Sequence, residues 1–129
     1  MKTRIVMTAS AVALAIFGIA CTFAPQELLA FIGAAPTGIL PAVIQILSAL
    51  LLGFAFANWM AKDSLIGGIY NRALAIGNLV HFTIGAITLA KLALSGNTSM
   101  FVVVPAVVYV AFAIAFASIV FGSPVKAPA

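Results

Sequence analysis

The chain has 129 residues, of which 65% are apolar and 6% are charged. A soluble domain carries about 25% charged residues, so this chain cannot cover a surface that faces water, and we expect lipid to surround most of it. Because each membrane-spanning helix needs roughly 20 residues, the length is sufficient for four of them. The composition therefore predicts an all-α integral membrane protein in a single domain, with the lipid bilayer as its main partner.

The basic residues, the single cysteine and the positions of the two acids exclude several classes of function. The six basic residues give a net charge of +4 but are spread along the whole chain, so we expect no nucleic-acid partner. A single cysteine, Cys21, excludes an intramolecular disulfide and a multi-cysteine metal site within one chain. Both acids, Glu27 and Asp63, lie outside the predicted spans. We therefore expect no enzyme activity, no cofactor and no proton-coupled export through an intramembrane carboxylate.

The first predicted span covers residues 5–24 and follows Lys2 and Arg4. A basic start before an apolar run is also typical of a cleaved signal peptide, but this run is longer than a usual signal core and more apolar segments follow it. We therefore favour a retained helix. Pro25 ends this span, and residues 26–33 predict a short helix that lies at the membrane surface.

Three further spans are predicted at residues 39–61, 73–94 and 100–121. Polar and aromatic residues mark one membrane interface: Asn58 and Trp59 end the second span, and Tyr70 and Arg72 precede the third. We expect Arg72 to form an interfacial ion pair with Asp63. Short connections between the four spans predict an up-down four-helix bundle.

Small residues follow one face of the first and of the last span. They lie at positions i, i+4, i+7 and i+11 in each case: Ala11, Ala15, Gly18 and Thr22, and then Ala111, Ala115, Ser118 and Gly122. Small residues allow helices to approach closely in lipid. Because the first and fourth helices of an up-down bundle are neighbours, we expect these two faces to pack on each other.

The basic residues also predict the orientation of the chain. With four spans, one side of the membrane holds Lys2, Arg4, Lys62, Arg72 and Lys126, and the other holds Lys91. Basic residues are concentrated in cytoplasmic connections. We therefore expect a multi-pass protein of a bacterial inner membrane with both termini in the cytoplasm.

The third span carries the most polar intramembrane face of the chain, formed by Asn78, His81, Gly85 and Thr88. If the second and third spans form a simple antiparallel pair, His81 lies at the level of Gly53 and Asn78 at the level of Phe56. Gly53 would then leave room beside the imidazole for water, a ligand or a neighbouring helix. Gln45 and Ser48 in the second span complete the set of ligand or pore candidates.

Two interpretations of this polar face remain open. Polar groups in a membrane are costly unless they have partners, so they mark either a functional site or hydrogen bonds between helices. A site around Asn78 and His81 would suit a small polar ligand, a proton or a quinone carbonyl. The packing interpretation, in which these side chains bond to Ser48, Thr88 or a backbone carbonyl, is favoured.

Two segments carry a resemblance to a known group of proteins. They are residues 23–33 after the first span, with the sequence FAPQELLAFIG, and the set formed by Asn58, Trp59, residues 70–72 (YNR) and Asn78. In these features the chain resembles small four-helix membrane proteins of bacteria whose activity is uncharacterised. The resemblance spans most of the chain and implies the four-helix layout, and it implies nothing about activity.

The function hypotheses follow from these observations. We expect an accessory or structural subunit, either as a homo-oligomer or attached to a larger membrane complex. The first alternative is a transporter or channel for a small solute, built around Asn78 and His81. The second is a redox-associated subunit in which His81 contacts a quinone or, in a symmetric dimer, a haem.

Overall fold

The computed structural model describes residues 2–64 and 69–122, and for Ile69 and Tyr70 it describes the backbone alone. Five helices make up the fold, and no strand occurs within these ranges. The helices are α1 (Lys2–Phe23), α2 (Pro25–Phe31), α3 (Leu40–Ala61), α4 (Ile69–Leu94) and α5 (Met100–Gly122). All of them except α2 are long and apolar enough to cross a membrane, so the predicted all-α fold with four candidate spans is confirmed.

The four long helices form two antiparallel pairs, α1 with α3 and α4 with α5. In the first pair, Arg4 near the start of α1 forms a 2.9 Å ion pair with Asp63 just after α3. At the opposite end, the Thr22 hydroxyl of α1 lies 2.9 Å from the Ser48 hydroxyl of α3. We call these two ends of the bundle the Asp63 end and the α2 end. The chain runs up and down between them.

Gly18 shows which helix the small-residue face of α1 packs against. A Cβ built on Gly18 would lie 2.8 Å from the Leu52 side chain of α3, so the absence of a side chain lets these helices approach closely. Ala11 is also buried. The expected packing of the α1 face on α5 is therefore wrong, because α3 occupies this face.

On the matching face of α5, three of the four small residues are exposed among the described residues, and Ala115 is half-buried. Ala111, Ser118 and Gly122 are exposed, and the Ser118 hydroxyl donates to the Ile114 carbonyl of its own helix. Large apolar residues flank them, with Ile114 63% exposed and Val107 64% exposed. Within one chain, most of this face is therefore exposed.

Large side chains fill the space between the two helix pairs. Phe82 of α4 and Phe116 of α5 are fully buried and stack with their ring centroids 5.6 Å apart. Leu14 of α1 is also fully buried in this core, and the Phe17 ring lies 6.3 Å from Tyr109 of α5. Bulky side chains thus pack both within the α4–α5 pair and between the two pairs.

One residue, Ala24, separates the short helix α2 from α1. Pro25 lies in the first turn of α2, where the missing N–H costs no hydrogen bond. It is connected to the α4–α5 turn by two hydrogen bonds, from Asn97 Nδ2 to the Ile32 carbonyl at 3.0 Å and from the Ser99 hydroxyl to the Phe31 carbonyl at 3.2 Å. Phe31 also stacks on Phe101 at 4.4 Å. These contacts join the first helix pair to the second at the α2 end.

Candidate functional site

A pair of side-chain amides joins α3 to α4 near the Asp63 end. Asn58 Nδ2 donates to Asn78 Oδ1 at 2.8 Å, and Asn78 Nδ2 donates to Asn58 Oδ1 at 2.7 Å. Each amide uses its second N–H as well, Asn58 toward the Ser10 hydroxyl at 3.0 Å and Asn78 toward the Leu74 carbonyl at 2.9 Å. The Ser10 hydroxyl in turn donates to the Met7 carbonyl. We call Ser10, Asn58 and Asn78 the amide cluster.

Every member of the amide cluster is completely buried. Burying an amide is costly unless its donors and acceptors find partners. Here the partners are all within the chain, and they connect α1, α3 and α4. Asn78 therefore lies in a satisfied interhelical network, as in the packing interpretation, but its partners are Asn58 and the Leu74 carbonyl, not Ser48 or Thr88.

Asn58, which we expect at the membrane interface, has its side chain inside the bundle. Its side chain is fully buried against Asn78, whereas its neighbour Trp59 is 49% exposed. Consecutive helical residues point about 100° apart, so one can face the bundle core while the next faces the surroundings. The Lys62 ammonium lies 3.5 Å from the centroid of the Trp59 ring, which suits a cation–π contact.

His81 forms the second polar contact of α4. Its Nε2 lies 3.1 Å from the Tyr109 hydroxyl of α5, and the tautomer of the ring decides which group donates. The Phe54 ring of α3 stacks on the imidazole with a centroid distance of 5.1 Å. Phe82 contacts it edge-on at 5.2 Å. His81 is thus held in an aromatic cluster that includes both helix pairs.

The glycine that makes room beside this cluster is Gly85, not Gly53. A Cβ added to Gly53 would meet nothing within 4 Å, because Gly53 faces away from α4, so the space expected opposite His81 is not formed there. A Cβ added to Gly85 would collide with the Tyr109 ring. Gly85 therefore allows Tyr109 to lie flat against α4 and to reach His81.

Gln45 and Ser48 lie apart from Asn78 and His81, toward the α2 end. The Ser48 hydroxyl donates to the Gln45 carbonyl and accepts from Thr22, while Gln45 Nε2 donates to the Thr22 carbonyl at 3.3 Å. Ser48 is buried and Gln45 is exposed. These contacts join α1 to α3, so the five ligand or pore candidates do not converge on one site.

The remaining predicted site residues lie outside the core. Thr88 is exposed, and its hydroxyl donates to the Ile84 carbonyl of its own helix. Arg72 is exposed as well. The expected ion pair between Arg72 and Asp63 is wrong in its partner, because Asp63 pairs with Arg4. The side chain of Tyr70 and all of Lys126 lie outside the described residues.

Two polar residues of this region were not among the predicted site residues. Tyr109 is 8% exposed and Ser10 is fully buried. A signal was available for Tyr109, since it is the one tyrosine inside a predicted span. Ser10 gives a weaker signal, because a serine in a membrane helix often bonds to its own backbone.

A cavity of about 470 Å³ lies between the two helix pairs at the α2 end. All five helices contribute to its wall, including Leu29 of α2, Leu51 of α3 and Leu89 of α4. Tyr109 and Cys21 supply the few polar atoms of an otherwise apolar lining. This cavity is separate from the amide cluster, which lies toward the other end of the bundle.

Comparisons with protein-family models, with curated proteins and with solved structures found no match. The geometry of the chain itself therefore indicates what the protein could do. That geometry shows hydrogen-bonded polar groups between helices, an apolar cavity, and an uncovered small-residue face on α5.

Proposed function

We propose that the protein is a small multi-pass membrane subunit that acts by association, either with further copies of itself or with a larger membrane complex. The observation that carries the proposal is the uncovered face of α5, formed by Ala111, Ser118 and Gly122. In lipid, small residues permit close helix contact and the van der Waals packing that drives association. We propose this face as the site where the partner helix binds.

The internal polar groups also support an associating subunit over a transporter. The transporter hypothesis needs Asn78 and His81 to face a solute or water. In the structure, Asn78 is fully buried and bonded to Asn58, and His81 is bonded to Tyr109. A solute would have to replace these bonds, which stabilise the contacts between helices.

The proposed location is the inner membrane of a bacterium, with both termini in the cytoplasm. In this orientation the Asp63 end faces the cytoplasm and carries Arg4, Lys62 and Arg72, as the distribution of positive charge favours. Reporter fusions after residue 64 and after residue 97 test it, and we expect a cytoplasmic signal from the first alone. The opposite pattern would reverse the orientation.

The decisive experiment is native co-purification in mild detergent, with mass spectrometry of the sample and an absorption spectrum. We expect a homo-oligomer or a stoichiometric partner from the wild type, and a monomer from Ala111→Trp, because the indole would hold a neighbouring helix away. Ala49→Trp is the matched control, since Ala49 is exposed on α3. A wild-type protein that is monomeric and without partners would overturn the proposal.

The same sample tests the two alternatives. A haem would appear in the visible spectrum and would favour the redox-associated hypothesis. A colourless homo-oligomer that conducts a small solute in liposomes, with conduction lost in His81→Ala, would favour the transporter hypothesis. We expect neither result, because His81 is enclosed by Phe54, Phe82 and Tyr109.

A further inference from the structure

The cavity at the α2 end has a position that indicates what it binds. Its lining begins at α2, with Leu28, Leu29 and Ile32, and reaches Leu51 of α3 and Tyr109 of α5. Along α5, the lining runs from Met100, where the helix begins, to Tyr109, nine residues further, which is about 14 Å at ~1.5 Å per residue. The hydrocarbon core of a bilayer is ~30 Å thick, so the cavity spans about one leaflet.

The lining excludes water as the normal occupant. Apolar cavities of about 150 Å³ stay dry and bind apolar molecules, because water needs several polar partners. This cavity is larger, about 470 Å³, and its wall is formed by side chains such as Phe17, Leu47, Leu89 and Val104. Pockets of roughly 300–1,000 Å³ with mainly apolar walls are typical of ligand sites.

The polar atoms at the deep end favour a chain without a polar terminus. The Tyr109 hydroxyl is already bonded to His81, and Cys21 is the other polar residue of the lining. The remaining wall is apolar and offers a polar headgroup few partners. A hydrocarbon chain needs no hydrogen-bond partner and can pack against the apolar surface of the Tyr109 ring.

We infer that the cavity binds one acyl chain of a membrane phospholipid, with the headgroup at the level of α2 and the chain end near Leu51 and Tyr109. The match between the depth of the cavity and one leaflet carries the assignment. A phospholipid places its headgroup at the interface and its chain ends near the bilayer centre, which is the required geometry. Leu29 of α2, 3% exposed, packs at this end of the lining.

The test uses the whole protein in phosphatidylcholine liposomes that contain a phosphatidylcholine with a diazirine on its terminal acyl carbon. After illumination, peptide mass spectrometry identifies the labelled residues. We expect label on Leu51 and Tyr109, which are 3% and 8% exposed and are therefore shielded from lipid at the outer surface. Ile46 and Ile84, at 67% and 61% exposed, report that outer surface.

Two variants fill the cavity from opposite sides, Ala20→Phe from α1 and Leu89→Trp from α4. Each should lower the label on Leu51 and Tyr109 by about tenfold or more, the change that ~1.4 kcal/mol of lost binding produces. Labelling of the exposed Ile46 and Ile84 should not change. Ala42→Phe is the control, because Ala42 is exposed near the same end of the bundle.

Three results would overturn the inference. The first is wild-type label that is confined to exposed residues. The second is label on Leu51 and Tyr109 that persists in both filled variants while the thermal stability of those variants stays at the wild-type value. The third is displacement of this label by an isoprenoid quinone but not by unlabelled phosphatidylcholine, which would assign the cavity to an isoprenoid chain.

Discussion

Asn58 and Asn78 exchange two hydrogen bonds through their side-chain amides, at 2.8 and 2.7 Å, and thereby join the two helix pairs of the bundle. Both residues are fully buried, and each has a further partner. Because a lone amide in this position would be left partly unsatisfied, the two residues depend on each other.

Replacing both members of this pair should therefore cost less than the sum of the two single replacements. We expect Asn78→Leu to lower the free energy of unfolding by about 1–3 kcal/mol, since it leaves Asn58 Oδ1 without its donor in the core. In Asn58→Leu/Asn78→Leu the loss should be smaller than the sum of the single losses by about 1 kcal/mol. Thermal unfolding in detergent measures these differences.

The control for this cycle is Thr88→Val, which removes an exposed hydroxyl bonded within its own helix. We expect it to change stability by less than about 0.5 kcal/mol. Additive losses in the double variant would mean that the two amides act independently, and the reciprocal pair would then have no energetic role.

Gly85 and Gly53 offer a matched comparison of two intramembrane glycines. We expect Gly85→Ala to destabilise the protein by about 1–3 kcal/mol, because the added methyl group collides with the Tyr109 ring and overpacks the α4–α5 contact. Gly53→Ala meets no atom within 4 Å and should be neutral, or stabilising by up to about 1 kcal/mol through helix propensity. Unfolding in detergent distinguishes them.

If Gly53→Ala destabilised the protein more than Gly85→Ala, Gly53 would face the bundle interior.

The bond between Tyr109 and His81 gives a second measurement on the same contact. Tyr109→Phe keeps the ring and should cost about 0.6–1.7 kcal/mol, the range of single hydrogen bonds between membrane helices. A larger loss in Gly85→Ala than in Tyr109→Phe would identify ring packing as the stronger contribution.

The four spans follow from the sequence because hydropathy alone determines which segments cross a bilayer. The short helix α2 follows from Pro25 and the pattern after it. The levels of the residues were also predictable, since Asn78 was expected at the level of Phe56 and bonds to Asn58, two residues away. The rotation of each helix about its own axis could not be predicted from the sequence.

That rotation is difficult to predict because both sides of these helices are apolar. In a soluble bundle, a polar face marks the side that faces water. In these candidate membrane spans the outer face is apolar like the core, so the two faces look alike in the sequence, and Gly53 and Gly85 could not be distinguished. The expected pairing of α1 with α5 failed for the same reason, since both helices carry small residues on one face.

The contact between Gly18 and Leu52 predicts a compensating pair of substitutions. Gly18→Ala should destabilise the α1–α3 contact by about 1–3 kcal/mol, because its Cβ would lie 2.8 Å from Leu52. Leu52→Ala in the same protein removes the opposing atoms and should restore part of the loss. Leu52→Ala alone should lower stability. A double variant that is more stable than Gly18→Ala would therefore identify a direct steric contact between the two residues.

Arg4 and Asp63 should contribute little to stability despite their 2.9 Å separation. Their side chains are 66% and 61% exposed, and exposed ion pairs contribute about 0–1 kcal/mol and are screened by salt. We expect Arg4→Gln to shift the unfolding free energy by less than about 1 kcal/mol, with the difference vanishing at high salt. A large effect that is independent of salt would contradict this view.

Asn58 of α3 has one side-chain partner earlier in the chain, in α1, and one later in the chain, in α4. Its donor to Ser10 lies within the first pair, so α1 and α3 can assemble as soon as both have left the ribosome and entered the bilayer. Its acceptor stays unmatched until α4 is synthesised and Asn78 arrives. In the nascent first half, the side-chain oxygen of Asn58 would thus lack its donor until the second half is made. Two halves produced as separate polypeptides should therefore associate in the membrane.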